Sequence, residues 1–193
     1  MPMTKPNLFL PVLLGAAMLA GCNKDKEDEL TSPAPVNEEE LITDAYIHFM
    51  DGAGNTFQWH AHAVGGLEGS SGLQIEADTL PANTQLQAEV ILLNRSVSPV
   101  DTVSQEVLEE GTAHQFFFVP NQVPITVGYA DQDANGFPIG LHSVWQIGAP
   151  ATGEVAVLLR HQPIKDAAGV SDGDITNAGG SNDLEVHFPA VVQ

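Results

Sequence analysis

A single cysteine excludes an intramolecular disulfide, a Cys-rich zinc site and a CxxC redox pair. Basic residues are scarce as well. Six Lys and Arg stand against 25 Asp and Glu in 193 residues, a formal charge of −19. Such a chain repels phosphate backbones, so no nucleic-acid partner is expected. The apolar run near the N-terminus, Leu8 to Met18, spans 11 residues, short of the about 20 that cross a bilayer as a helix. Catalytic signatures are missing too: there is no G-x-S-x-G, no H-E-x-x-H and no phosphate-cradling Gly loop before a helix. No enzyme is expected. What is present is 43% hydrophobic residues, enough for a folded core in one domain or two small ones.

Residues 1–21 read as a secretory signal, with Lys5 as the positive region ahead of the apolar run. The run ends in Leu19-Ala20-Gly21-Cys22. That ending resembles the lipobox of bacterial lipoproteins. The resemblance implies cleavage before Cys22 and a diacylglycerol thioether on its sulfur. The acyl chains, at about 0.8 kcal/mol per buried CH₂, would make the bilayer the first partner. Residues 22–37 follow as a tether, charged and then rich in Ser, Pro and Ala. Lys24-Asp25-Lys26-Glu27-Asp28-Glu29 loosely resembles the surface-export signal of Bacteroidota-type lipoproteins. The expected address is the outer membrane, lipid-anchored, on its periplasmic face or at the cell surface.

Residues 38–193 form the expected single domain. Period-two alternation recurs between Gly, Asn, Asp and Pro clusters. Leu41 to Met50, Phe57 to Ala63, Leu73 to Ala77, Leu86 to Leu93 and His114 to Val119 each read as a strand. Ile125 to Tyr129, Leu141 to Ile147, Glu154 to His161 and Leu184 to Val192 complete the set. Leu86 to Leu93 is dense in apolar residues and suits a central strand. Thr102-x-x-Gln105 has capping-box spacing before Val103, Val107 and Leu108, with Gly111 as a stop, so one short helix is expected. Lys165 to Asn182 reads as a long polar loop with mobility of its own. These patterns predict an all-β immunoglobulin-like sandwich of about seven to nine strands, with a β-barrel as the alternative.

Several stretches carry a family resemblance: Asn37 to Thr43, His114 to Phe118, Tyr129 to Gly136, Arg160 to Pro163 and Asp183 to Pro189. Together they resemble small Bacteroidota lipoproteins that automatic naming calls "type 1 periplasmic binding fold superfamily" proteins. The resemblance covers most of the domain and implies no particular activity. The name implies a two-lobed α/β receptor, which needs roughly twice this length and alternating strands and helices. The strand pattern here is at odds with it.

His48, His60 and His62 are the sharpest constellation. His60 and His62 share one strand face, opposite Phe57 and Trp59. A three-residue connection through Ala53, Gly54 and Asn55 would set His48 directly across from His60, at about 5 Å between Cβ atoms. Three imidazoles so placed can bind Zn²⁺ or Cu²⁺ with a fourth position open. Three exposed histidines on a wet sheet face are the alternative. Asp131, Asp133 and Asn135 precede Gly136 with the spacing that opens a calcium loop, while Asn135-Gly136 is equally a hairpin turn. His114 and His161 read as buried histidines bonded to neighbouring strands, with metal ligation as the alternative for each. Trp59 and Trp145 read as core.

Three functions are compatible with these features. The first is a non-enzymatic binding or accessory module serving an outer-membrane transporter of metal or another nutrient. The second is a Zn- or Cu-binding protein in its own right. The third is a structural or adhesive envelope protein.

Overall fold

The computed structural model describes residues 41–69 and 72–193. The expected signal, Cys22 and the tether lie outside the described residues.

Among the described residues, nine strands and one α-helix follow in chain order: β1 (Asp44–Asp51), β2 (Thr56–His62), β3 (Gln74–Ala77), β4 (Gln85–Leu93), α1 (Val103–Glu109), β5 (His114–Asn121), β6 (Ile125–Tyr129), β7 (His142–Ile147), β8 (Ala151–His161) and β9 (Ser181–Val192). All nine fall where the alternation predicts them. They form two antiparallel sheets, β3-β2-β1-β4-β7-β6 and β5-β8-β9. The result is a sandwich, with no closed barrel among the described residues. β4 is central, between β1 and β7, as its dense apolar run requires.

Alternation decides the faces. Ile47 and Phe49 of β1, Trp59 and Ala61 of β2 and Trp145 of β7 turn inward, as do Val155 and Val157 of β8 and Val186 and Phe188 of β9. Aromatics are few, but they meet here. Trp59 packs edge-on to Trp145 at 5.7 Å and to Phe49 at 5.2 Å, and stacks on Phe188 at 5.5 Å. Edge and offset geometries are the ones the ring quadrupoles favour. The outward residues of β1 and β2 include Tyr46, His48, His60 and His62.

Three local expectations are corrected. α1 occupies the predicted segment, but Thr102 makes no side-chain cap bond, so the capping box is not formed. The Thr102 carbonyl accepts from Gln105 N instead, at 2.9 Å. The segment Lys165 to Asn182 is no loose loop. It carries two 3₁₀ turns, Val170–Asp172 and Ile175–Asn177. Val170 and Ala178 are buried against Phe117 and Leu158. Those two side chains point away from the main core, so the small sheet is apolar on both faces and needs a cover.

The third correction is the β1–β2 register. His48 pairs with Gln58, Tyr46 with His60 and Asp44 with His62. The expected pairing of His48 with His60 is off by two residues. The turn explains the slip. Asp51 and Asn55 close it, with Asp51 N donating to Asn55 O at 3.0 Å. The Asp51 carboxylate accepts from Ala53 N and Asn55 N, both at 2.9 Å, and from Asn55 Nδ2 at 2.8 Å. An Asp side chain that bonds its own turn amides fixes the reversal one residue earlier than the glycine pattern suggests.

Candidate metal centres

Slipping the register by two removes His48 from the cluster and brings in Asp44. Asp44, His60 and His62 project from the outward face of the six-stranded sheet. Asp44 Oδ1 lies 3.0 Å from His60 Nε2, 3.2 Å from His62 Nδ1 and 3.4 Å from Arg95 Nε. Its other oxygen accepts from Thr43 Oγ1 at 2.8 Å. Tyr46 stacks on His60, with centroids 4.0 Å apart and planes 6° apart, which fixes the plane of that imidazole. Asp44 is only 2% exposed, while the Arg95 side chain is 47% exposed.

A carboxylate buried to that degree on an outward face needs compensation. Burial pushes the Asp44 carboxyl up, but the Thr43 and His60 hydrogen bonds and the nearby His62 imidazole outweigh it and hold it below the ordinary carboxylate range. His62 Nδ1 is buried and makes no well-angled hydrogen bond, although it lies close to Asp44. Two imidazole nitrogens and one carboxylate can hold a divalent ion and leave positions open. Their ligand atoms lie within 4.8 Å of one another.

A second group forms where sequence reasoning found two structural histidines. His114 opens β5 and pairs directly across from His161 at the end of β8. His161 Nδ1 and His114 Nε2 are 3.0 Å apart. Asp183 Oδ2 lies 3.5 Å from His114 Nε2 and 3.6 Å from His161 Nδ1. All three side chains are at most 10% exposed. These ligand atoms too lie within 4.8 Å of one another. Strict alternation from inward Leu184 would send Asp183 outward. A register shift between Leu159 and Arg160 prevents this: Leu159 pairs with Leu184 and Arg160 with Asn182. Asp183 is the extra residue of a bulge, and bulges re-aim side chains.

His48 lies apart from both groups. It sits between Gln58 and Glu89 across the ladders, and Glu89 in turn pairs with His142. With Met50 and Phe57 these residues line a groove of about 540 Å³.

The expected calcium residues face protein groups. Asp131 accepts from Gly140 N at 2.7 Å and His142 N at 2.8 Å. Asp133 Oδ1 accepts from Asn135 N at 2.8 Å and Phe137 N at 3.0 Å. Its Oδ2 accepts from Lys165 Nζ at 2.9 Å. The segment is a turn whose positive charge comes from a lysine 32 residues away. The Asn135 side chain is not among the groups that meet there.

Sequence reasoning missed Asp44 and Asp183. Asp44 left a trace: an acid inside an apolar strand, on the same face as Tyr46 and His48. Asp183 left none, because a bulge has no local sequence mark here.

Comparison with known proteins adds no relative. No family model, curated protein or solved structure matches the chain.

Proposed function

We propose that this protein is a lipid-anchored, extracytoplasmic and non-enzymatic accessory module. It takes up Zn²⁺ or Cu²⁺ at Asp44, His60 and His62 and serves an outer-membrane transporter. The observation that carries this reading is one buried carboxylate oxygen on an outward sheet face, with two imidazole nitrogens and a guanidinium gathered within 3.4 Å. Arg95 is the counter-charge that a divalent ion would displace. Its exposure leaves it free to swing into solvent. A three-ligand site with a buried carboxylate and two half-buried imidazoles on a sheet face leaves coordination positions for water or for a receiving partner, which suits exchange rather than permanent retention. The charge of −19 raises the local concentration of cations. The Leu19-Ala20-Gly21-Cys22 ending supports the anchor.

Calorimetry with Zn²⁺ and Cu²⁺ tests the site. His60→Ala with His62→Ala is expected to weaken binding at least about a hundredfold, given that two of three ligands are lost. Unchanged affinity in that variant would sink the reading. Mass spectrometry of the native protein tests the anchor. An unacylated chain retaining residues 1–21 would remove it.

A structural or adhesive role is the second reading. The groove with Met50 and Phe57 beside His48 and His142 favours it. It predicts capture of an envelope polymer that persists when metal is chelated.

A further inference from the structure

We propose that His114, His161 and Asp183 form a second, buried Zn²⁺ site that ties the ends of β5, β8 and β9 together. It is independent of the outer site and differs from it in kind.

Four observations carry it. The first is geometry. A tetrahedral zinc ion with bonds of about 2.0–2.1 Å sets its ligand atoms about 3.3 Å apart. The three separations here are 3.0, 3.5 and 3.6 Å. The second is tautomer. His114 Nδ1 lies 3.2 Å from the Glu110 carbonyl oxygen. A carbonyl only accepts, so Nδ1 carries the proton and Nε2 presents its lone pair to the cluster. Metal-bound histidines are oriented in this way, by donating the other ring nitrogen to a carbonyl or carboxylate.

The third observation is an unmet acceptor. Asp183 Oδ1 is buried and has no hydrogen-bond partner among the described residues. Its other oxygen sits 3.5 Å and 3.6 Å from the two imidazoles, longer than charge-assisted bonds to a carboxylate run. A carboxylate buried to this extent with so little hydrogen bonding is costly unless a cation joins it. The fourth is the bulge itself. The chain breaks the β8–β9 ladder at the one residue whose side chain completes the group.

The donor set excludes calcium, and the near-tetrahedral separations favour zinc among the ions that imidazoles bind. Two imidazole nitrogens and a carboxylate suit zinc. Calcium takes six to eight oxygens and finds too few here. Burial limits access by water, so exchange is slow, and the ion acts as a clasp on three strand ends.

The test uses the full chain carrying His60→Ala and His62→Ala, so that the outer site is disabled. Dialysed against dilute zinc, this protein is expected to retain one zinc per chain by elemental analysis. It should also melt at a higher temperature with zinc than after chelation. Adding His161→Gln or Asp183→Asn is expected to weaken zinc binding at least about tenfold and to erase that thermal shift. A folded parent that holds no zinc overturns the assignment, as does a His161→Gln variant that binds as tightly as its parent. Should neither variant fold, imidazole ¹⁵N spectra of the parent decide. Zinc should shift His114 Nε2 and His161 Nδ1, and unchanged resonances overturn the site. Both outer imidazoles are absent from the protein tested, so this proposal and the outer-site reading stand or fall separately.

Discussion

Replacing Lys165 by Met tests whether a distant ammonium holds the Asp131–Gly136 turn and the end of α1 in place. Lys165 is 5% exposed. Its Nζ donates to the Gly111 carbonyl at 2.6 Å, to Asp133 Oδ2 at 2.9 Å and to the Pro138 carbonyl at 2.9 Å. Met keeps most of the stem and removes all three donors. Asp133 would then be a buried carboxylate with amide partners but no cation, and two carbonyls would lose their bonds. Removing one partner of a buried ion pair costs about 3–5 kcal/mol. For a domain of this size each kcal/mol shifts the melting temperature by about 2–4 °C, so a fall of roughly 10 °C is expected. Thermal scans and urea denaturation followed by tryptophan emission measure the shift and the free-energy loss, because Trp59 and Trp145 are both fully buried. Asp133→Asn added to Lys165→Met should recover part of the loss, since the orphaned charge is gone. A single-variant loss below about 1 kcal/mol would refute the reasoning and would mean that water replaces the ammonium at little cost.

Further outcomes follow from the structure. Burial pushes the Asp133 carboxyl up, but Lys165 and the Phe137 and Asn135 amides outweigh it and hold it below its usual 3.8. Its folded-state value is therefore depressed. The stability it contributes is complete above 3.8 and is lost as pH falls through the folded value. Asp133→Asn should flatten the acid limb of a pH–stability curve, and an unchanged limb would contradict the ion pair. Arg95→Gln should tighten zinc at the outer site by a small factor, about two- to fivefold, because an exposed ion pair is largely screened by water; weaker binding would mean that Arg95 assists the ion. Gly54 has positive φ but open space around it, so Gly54→Ala should cost about 1 kcal/mol. Gly180→Ala should cost clearly more in the same denaturation assay, because its Cβ would also collide with the His161 carbonyl oxygen. Trp59→Ala should cost about 3–5 kcal/mol, as the core loses its central ring; a cost near 1 kcal/mol would mean that Phe49, Trp145 and Phe188 close the gap.

The strands were legible because period-two alternation is a local property of consecutive residues. Leu86 to Leu93 shows its central place by composition alone, and Trp59 and Trp145 show theirs by facing the apolar side of their strands. The histidine-bearing face of β2 was legible for the same reason. The ligand set was not, because two residues of register decide whether His48 or Asp44 stands beside His60 and His62. That register hangs on the Asp51 side chain bonding its own turn.

Sequence by itself determined which segments are strands, which side of each strand is apolar and that His60 and His62 share the outer face of β2. Tertiary structure alone decided three things: the partner of His60, the inward aim of Asp183, and the lysine that reaches Asp133. Each joins residues that are distant along the chain or displaced by a single-residue bulge. Alternation reports which face a residue occupies. It does not report which residue on the next strand meets it, because that depends on turn hydrogen bonds and ladder irregularities that exist only once the sheets have formed.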